Sequence, residues 1–188
     1  RFEVADTAEW LRSIFGRFGL VETRRTGTEW EYDLAAVPPA ADLPPGFVVE
    51  TLTVERSGDH AGISDCVKRA FDREHDFRSA LESLEANPLF RPELNVFARS
   101  PGGRIAAYCR GTVDPVNGVC GIDPVCTDPD FRQMGLARAV VEACFRTQRD
   151  LGGRFCYIGS APEPAPSTKL YRSLGPSHIS VSSTWSRP

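Results

Sequence analysis

Methionine occurs once and histidine three times in these 188 residues. No apolar run approaches the roughly 20 residues that cross a bilayer, so a membrane-spanning helix is not expected. The opening residues have no signal-peptide layout either. Basic side chains (22) are outnumbered by acidic ones (25), leaving a net charge of −3, and they form no block or stripe. A nucleic-acid backbone is therefore not an expected partner, because its binders concentrate Lys and Arg on one face. The Arg24-Arg25 pair, beside acidic neighbours, reads as a solvated turn. Glycine (16) and proline (15) are too sparse for a collagen-like or low-complexity chain. With 41% hydrophobic residues, intrinsic disorder is excluded as the main state.

The six cysteines (Cys66, Cys109, Cys120, Cys126, Cys144, Cys156) include no CxxC and no Cys/His pair at zinc spacing, so no metal is expected. Several fall in segments that read as buried, where a free thiol behaves as a small hydrophobe. That usage points to a reducing, cytoplasmic compartment. The chain opens on Arg1 rather than on methionine, which leaves room for sequence upstream.

Periodicity places the elements. Trp10, Ile14 and Phe18, with Leu11 and Phe15 beside them, predict a helix over 8–18 that stops at Gly19. Trp30, Tyr32 and Leu34 alternate with polar residues, predicting a half-buried strand over 29–34. The prolines between 36 and 46 predict a linker, since they continue neither element. Beyond it the chain alternates more regularly. A strand over 47–54 precedes a helix capped by Ser57 and carrying Ile63, Val67, Ala70 and Phe71, then a shorter helix through Phe77, Leu81 and Leu84. Strands over 94–99, 104–113 and 119–127 are joined by turns at Ser100-Pro101-Gly102-Gly103 and Asn117-Gly118. A helix over 136–151 ends at Gly152-Gly153, followed by a strand over 155–160, a short helix over 167–174 and a last strand over 179–185. The class is α/β of the α+β type, a mixed, mostly antiparallel sheet with flanking helices.

Chemistry concentrates where the strand ending at Thr127 runs through Asp128-Pro129-Asp130-Phe131 into Arg132-Gln133-Met134-Gly135-Leu136-Ala137 and the longest helix. The first N–H groups of a helix lack intrahelical partners and sit at the positive end of its dipole, which suits an anion, phosphate above all. Gly135 permits close approach, Ala137 keeps the first turn low, and Arg132 adds a charge. Neither Gly-x-Gly-x-x-Gly nor Gly-Lys-Ser/Thr occurs, so dinucleotide binding and nucleotide hydrolysis have no support.

The string Arg132-x-x-Gly135-x-Ala137 resembles the acetyl-CoA motif Arg/Gln-x-x-Gly-x-Gly/Ala of the GNAT superfamily of acyl-CoA-dependent N-acyltransferases. Pro124 to Phe131 is similar to that family's Val-x-Pro-x-Tyr lead-in, and Lys169-Leu170-Tyr171-Arg172-Ser173-Leu174-Gly175 to its Leu-Tyr-x-x-x-Gly-Phe helix end, with Pro176 in place of phenylalanine. The resemblance spans roughly 46–185. It implies that the backbone of Val125, Cys126 and Thr127 pairs with the pantetheine arm between two splayed strands. It also implies that amides from Gln133 to Arg138 (Gln133, Met134, Gly135, Leu136, Ala137, Arg138) hold the pyrophosphate, beside Arg132. Tyr171 would protonate the departing CoA thiolate, a role within reach of a positioned phenol.

An amine attacks a thioester only when neutral, so a base is needed, and Asp123 on the strand before the motif is the candidate. His60, His75 and His178 lie in polar surroundings and read as exposed. Cys126 reads as a buried strand cysteine rather than a nucleophile. The expected activity is acetyl transfer from acetyl-CoA to a primary amine, on a small molecule or a peptide. The alternative is a GNAT-fold module that binds acyl-CoA or a protein partner without turnover. Only one strand follows the Tyr171 helix, where the family has two. Residues 1–35 are accordingly expected to be a helix–strand extension, a remnant of a preceding GNAT repeat. Its strand would complete the sheet of a domain over 47–188, in this chain or in a homodimer mate, with 36–46 as the linker.

Overall fold

The computed structural model describes residues 2–37, 39–40, 42–53, 58–72, 77–87 and 90–188. Along the chain these residues form β1 (Phe2–Ala5), α1 (Glu9–Arg17), β2 (Val21–Asp33), β3 (Val48–Thr51), α2 (Gly58–Phe71), α3 (Phe77–Glu85), β4 (Asn95–Arg99), β5 (Ile105–Asp114), β6 (Val119–Thr127), α4 (Leu136–Asp150), β7 (Phe155–Ser160), α5 (Thr168–Ser173) and β8 (His178–Ser186). The expected α+β class holds: mostly antiparallel strands flanked by helices. Two compact units divide the chain, Leu34–Cys156 and Arg1–Asp33 with Tyr157–Pro188. Among the described residues no helix is long and apolar enough to cross a membrane.

In the unit Leu34–Cys156, β3, β4, β5 and β6 pair antiparallel in that order. Ser100 accepts from the Gly103 N–H at 2.9 Å and closes the β4–β5 turn, with Gly103 at φ +83° where a side chain would be strained. Successive side chains on a strand point to opposite faces, and β5 uses both. On one face Tyr108 is fully buried among Ile63, Cys66, Leu81 and Phe97, the core shared with α2 and α3. On the other, Cys109 donates to the Val140 carbonyl of α4 at 3.3 Å. Gln148 of α4 is fully buried and donates to the carbonyls of Thr112 (3.0 Å) and Gly121 (2.8 Å), locking α4 across β5 and β6. Gly111 is what lets α4 lie this close: a Cβ there would stand 2.5 Å from the Cys144 sulfur.

In the other unit β8 lies between β1 and β2, antiparallel to both. β2 is far longer than the strand expected over 29–34. It begins at Val21 and carries two register shifts, between Glu22 and Arg24 and between Arg25 and Gly27. Arg24 and Arg25 are exposed as expected, but on this strand rather than in a turn. Helix α1 forms where expected, and none of its residues is buried. Its Trp10 and Phe18 are 68% and 75% exposed, while Phe15 packs against Phe2 and Trp185. The Ser57 cap and Val54 lie outside the described residues.

Candidate active site

The loop between β6 and α4 is built from the strand outward. Between Cys109↔Val125 and Gly111↔Ile122 the β5–β6 register shifts, so Arg110 faces the bulged pair Asp123-Pro124. Asp123 is exposed there. Past the bulge the Asp128 N–H donates to the Ala106 carbonyl at 2.9 Å. Hydrogen-bonded positions alternate along an antiparallel pair, so Cys126 also bonds toward β5 while Val125 and Thr127 turn their backbone groups away from it. Of the three strand residues expected to meet the pantetheine arm, these two therefore direct their backbone groups to the side of β6 away from β5.

Asp128 anchors the loop after β6. Its side chain is only 2% exposed. It accepts from Arg69 of α2 at 2.8 Å, from Arg104 at 2.7 Å and from the Asp130 N–H at 3.0 Å. Burial alone would push the Asp128 carboxyl up, but the hydrogen bonds from Arg69, the Asp130 N–H and Arg104 outweigh it and hold the group below its ordinary value. Asp130 accepts from the same two arginines, at 2.8 Å and 3.1 Å. Arg132 is not aimed as its charge suggested. Its guanidinium donates to the Ala70 carbonyl at the end of α2 (3.0 Å) and, at 3.4 Å, to that of Thr127. It ties the loop to α2.

Gln133 (φ +62°) and Gly135 (φ +78°) turn the chain into α4. Residues Arg132 to Gly135 are exposed, no atom lies within 4 Å of where a Gly135 Cβ would stand, and Leu136 is buried. Helix α4 has no side-chain cap and no acid in its first turn. Its first amides are therefore unneutralised and face open space. Arg138 pairs with buried Glu142 at 3.0 Å, along the helix.

Cys126 is 5% exposed with its sulfur 4.0 Å from that of Cys66, and the Cys66 hydrogen bond together with burial pushes its thiol well up. A protonated, buried thiol is no nucleophile, as expected. His60 overturns its expectation: it is 7% exposed and its Nε2 lies 2.6 Å from a Glu85 carboxylate oxygen, joining α2 to α3. His178 is exposed, and His75 lies outside the described residues. Among the described residues no group of three or more His, Cys, Asp or Glu gathers as a metal site.

In the other unit Tyr171 is buried on α5, 6% exposed. Its carbonyl accepts from the Tyr32 hydroxyl at 2.9 Å, and its ring centroid lies 6.1 Å from that of Trp30. Trp30 donates to Ser160 Oγ at 3.0 Å and carries the Arg172 guanidinium over its face at 5.4 Å. Two residues of β2 thus fix α5. Spacing alone marked Trp30 and Tyr32 as buried but not as the seat of this helix.

A strand bulged before its end, an uncapped glycine-led helix and a buried tyrosine on a short later helix fit one family, and the acetyltransferase (GNAT) family profile matches residues 44–175. The chain belongs to the GNAT acetyltransferase family. Its fold is similar to that of a GCN5-related N-acetyltransferase from Sphaerobacter thermophilus, at 22% identity and a TM-score of 0.72, covering 99% of this chain and 59% of that one. It is also similar to a GCN5-related N-acetyltransferase from Kribbella flavida, at 18% identity and 0.61, covering 96% and 66%. A tandem GNAT protein from the clavulanic acid biosynthesis pathway aligns at 16% identity and 0.62, covering 93% and 57%. This GNAT chain thus spans about 59% of the length of the Sphaerobacter protein. No curated protein matches the sequence.

Proposed function

We propose that the protein transfers an acetyl group from acetyl-CoA to a primary amine by direct attack. The observation that carries this reading is the start of α4, uncapped, free of acids and open above Gly135. Those features fit a pyrophosphate, with amides from Gln133 to Arg138 as donors. Arg132 then acts by holding the loop through Ala70 and Thr127 rather than by touching phosphate. Val125 and Thr127 offer backbone groups to the pantetheine amides. Acetyl-CoA supplies an activated acyl group. Asp123 takes one proton from the ammonium, directly or through water; the neutral amine nitrogen then forms the C–N bond, the C–S bond breaks, Tyr171 gives its phenolic proton to the sulfur, and the second nitrogen proton restores the Tyr171 phenol through water.

The N-terminal residues belong to this reading. β1 and β2 flank β8, and β2 carries the Trp30 and Tyr32 that seat α5. We read residues 1–35 as the remnant of a preceding GNAT repeat that supplies sheet to a domain over 47–188. Six free, buried cysteines support a cytoplasmic, reducing setting.

The test is Tyr171→Phe in an assay of CoA release. A fall in kcat of about 100-fold with unchanged acetyl-CoA affinity is expected, since general-acid groups contribute about 10²–10⁴-fold. An unchanged kcat removes Tyr171 from the acid role. Acetyl-CoA binding by the wild type without CoA release to any amine would replace transfer with a binding module.

A further inference from the structure

Beside the bulge lies a cavity of about 280 Å³ between the end of α3 and β5, near the lower end of small-molecule sites. Leu84, Phe90, Leu94 and Val113 give it apolar walls, and two arginines line it, half-buried Arg110 and, at the exposed rim, Arg91. The other arginines described in the Leu34–Cys156 unit all have partners; Arg99, for instance, bonds Glu50 and Asp59 at 2.7 and 2.8 Å. The side chains of Arg91 and Arg110 donate no hydrogen bond and join no ion pair among the described residues. In a chain with more acids than bases, two unengaged guanidiniums on one small apolar cavity are a recognition feature rather than a surplus.

Position adds to this. Arg110, which lines the cavity, stands in register opposite Asp123-Pro124, so the strand position of the proposed base adjoins the one that lends the cavity its arginine. We infer that this cavity binds the acceptor, and that the acceptor is a small amine carrying a carboxylate and an apolar side chain, the class of the apolar amino acids. A guanidinium fork takes a carboxylate through two parallel hydrogen bonds. An α-amino acid holds both groups on one carbon, so a carboxylate on Arg110 brings its amine to the bulge. This inference rests on the transfer reading for its chemistry but not for its binding.

The experiment uses the full chain saturated with CoA and titrates phenylalanine, leucine and methionine against their amides, with acetyl-CoA-dependent CoA release measured in parallel. Saturable binding of at least one free acid is expected, about tenfold or more tighter than its amide. Arg110→Gln and Arg91→Gln are each expected to weaken the free acid about tenfold and the amide little, as loss of a charge-assisted hydrogen bond predicts. Arg149→Gln, whose partner is the exposed Asp150, controls for net charge and changes neither. Acetyl-CoA affinity checks that each variant is folded. If free acids bind and no CoA is released, the cavity stands and the transfer reading falls. If amines are acetylated without regard to a carboxylate, or no free acid binds to a folded protein, the inference is overturned and the transfer reading survives on its own test.

Discussion

Helices α2 and α4 begin in the same unit with opposite provisions. α2 carries Asp59 in its first turn, 8% exposed, and that carboxylate accepts from Arg99 at 2.8 Å. Its helix dipole is neutralised from within. α4 has no acid, no capping side chain and a left-handed glycine at its start, and the arginine beside it is spent on two carbonyls. One start carries its own acid, while the other carries none, which is what the proposed pyrophosphate site requires.

The strongest way to break this contrast is Gly135→Glu. It adds a side chain at φ +78° and a carboxylate where the pyrophosphate is placed. We expect acetyl-CoA affinity to drop by about 100-fold or more, read by calorimetry. Retained affinity would move the phosphate elsewhere. Asp128→Asn comes next. It leaves Arg69 and Arg104 without their shared buried carboxylate, so affinity should weaken about tenfold and Tm fall by about 2–4 °C.

The pH dependence carries a sign. The folded value of Asp128 is depressed, so its stabilisation is complete above its unfolded value near about 4 and is lost as pH falls through the lower folded value. Denaturant midpoints of the wild type and Asp128→Asn should differ at pH 7 and converge in acid. A difference that persists below that range would show that the charge of Asp128 is not what holds the loop. The smallest effect belongs to Asp59→Asn, which should lower Tm by about 2–4 °C and leave acetyl-CoA affinity within about twofold. A larger loss of affinity would make the α2 start part of the anion site and dissolve the contrast.

The elements around this site were legible in the sequence because local chemistry bounds them. Asn117-Gly118 starts β6, Asp128-Pro129 ends it, and the glycines at 135 and 152 frame α4. What spacing could not show were partnerships across the unit. Arg132 looked like a phosphate ligand until the Ala70 carbonyl, 62 residues away, claimed it. His60 looked exposed until Glu85 met it.

The first half of β2 was hidden for another reason. Its two bulges break the period of two, and Glu22, Arg24 and Arg25 fill it with charge. β1, four residues long, is too short to show a period at all. The apolar residues of α1 had the right period for a helix, but the period did not tell half-buried Leu11 and Phe15 from exposed Trp10, Ile14 and Phe18. Tyr171 was legible from its motif, whereas its seat on Trp30 and Tyr32 needed the strand order of β2 and β8.

The most direct test installs in α4 what α2 already has. Ala137→Glu places a carboxylate in the first turn of α4, where it favours the free helix and opposes a bound pyrophosphate. Acetyl-CoA titration and the Tm of the ligand-free protein should be measured together for this variant and the wild type. The account predicts at least about tenfold weaker binding with a Tm equal to or above that of the wild type. Unchanged affinity, or no acetyl-CoA binding by the folded wild type, would contradict it.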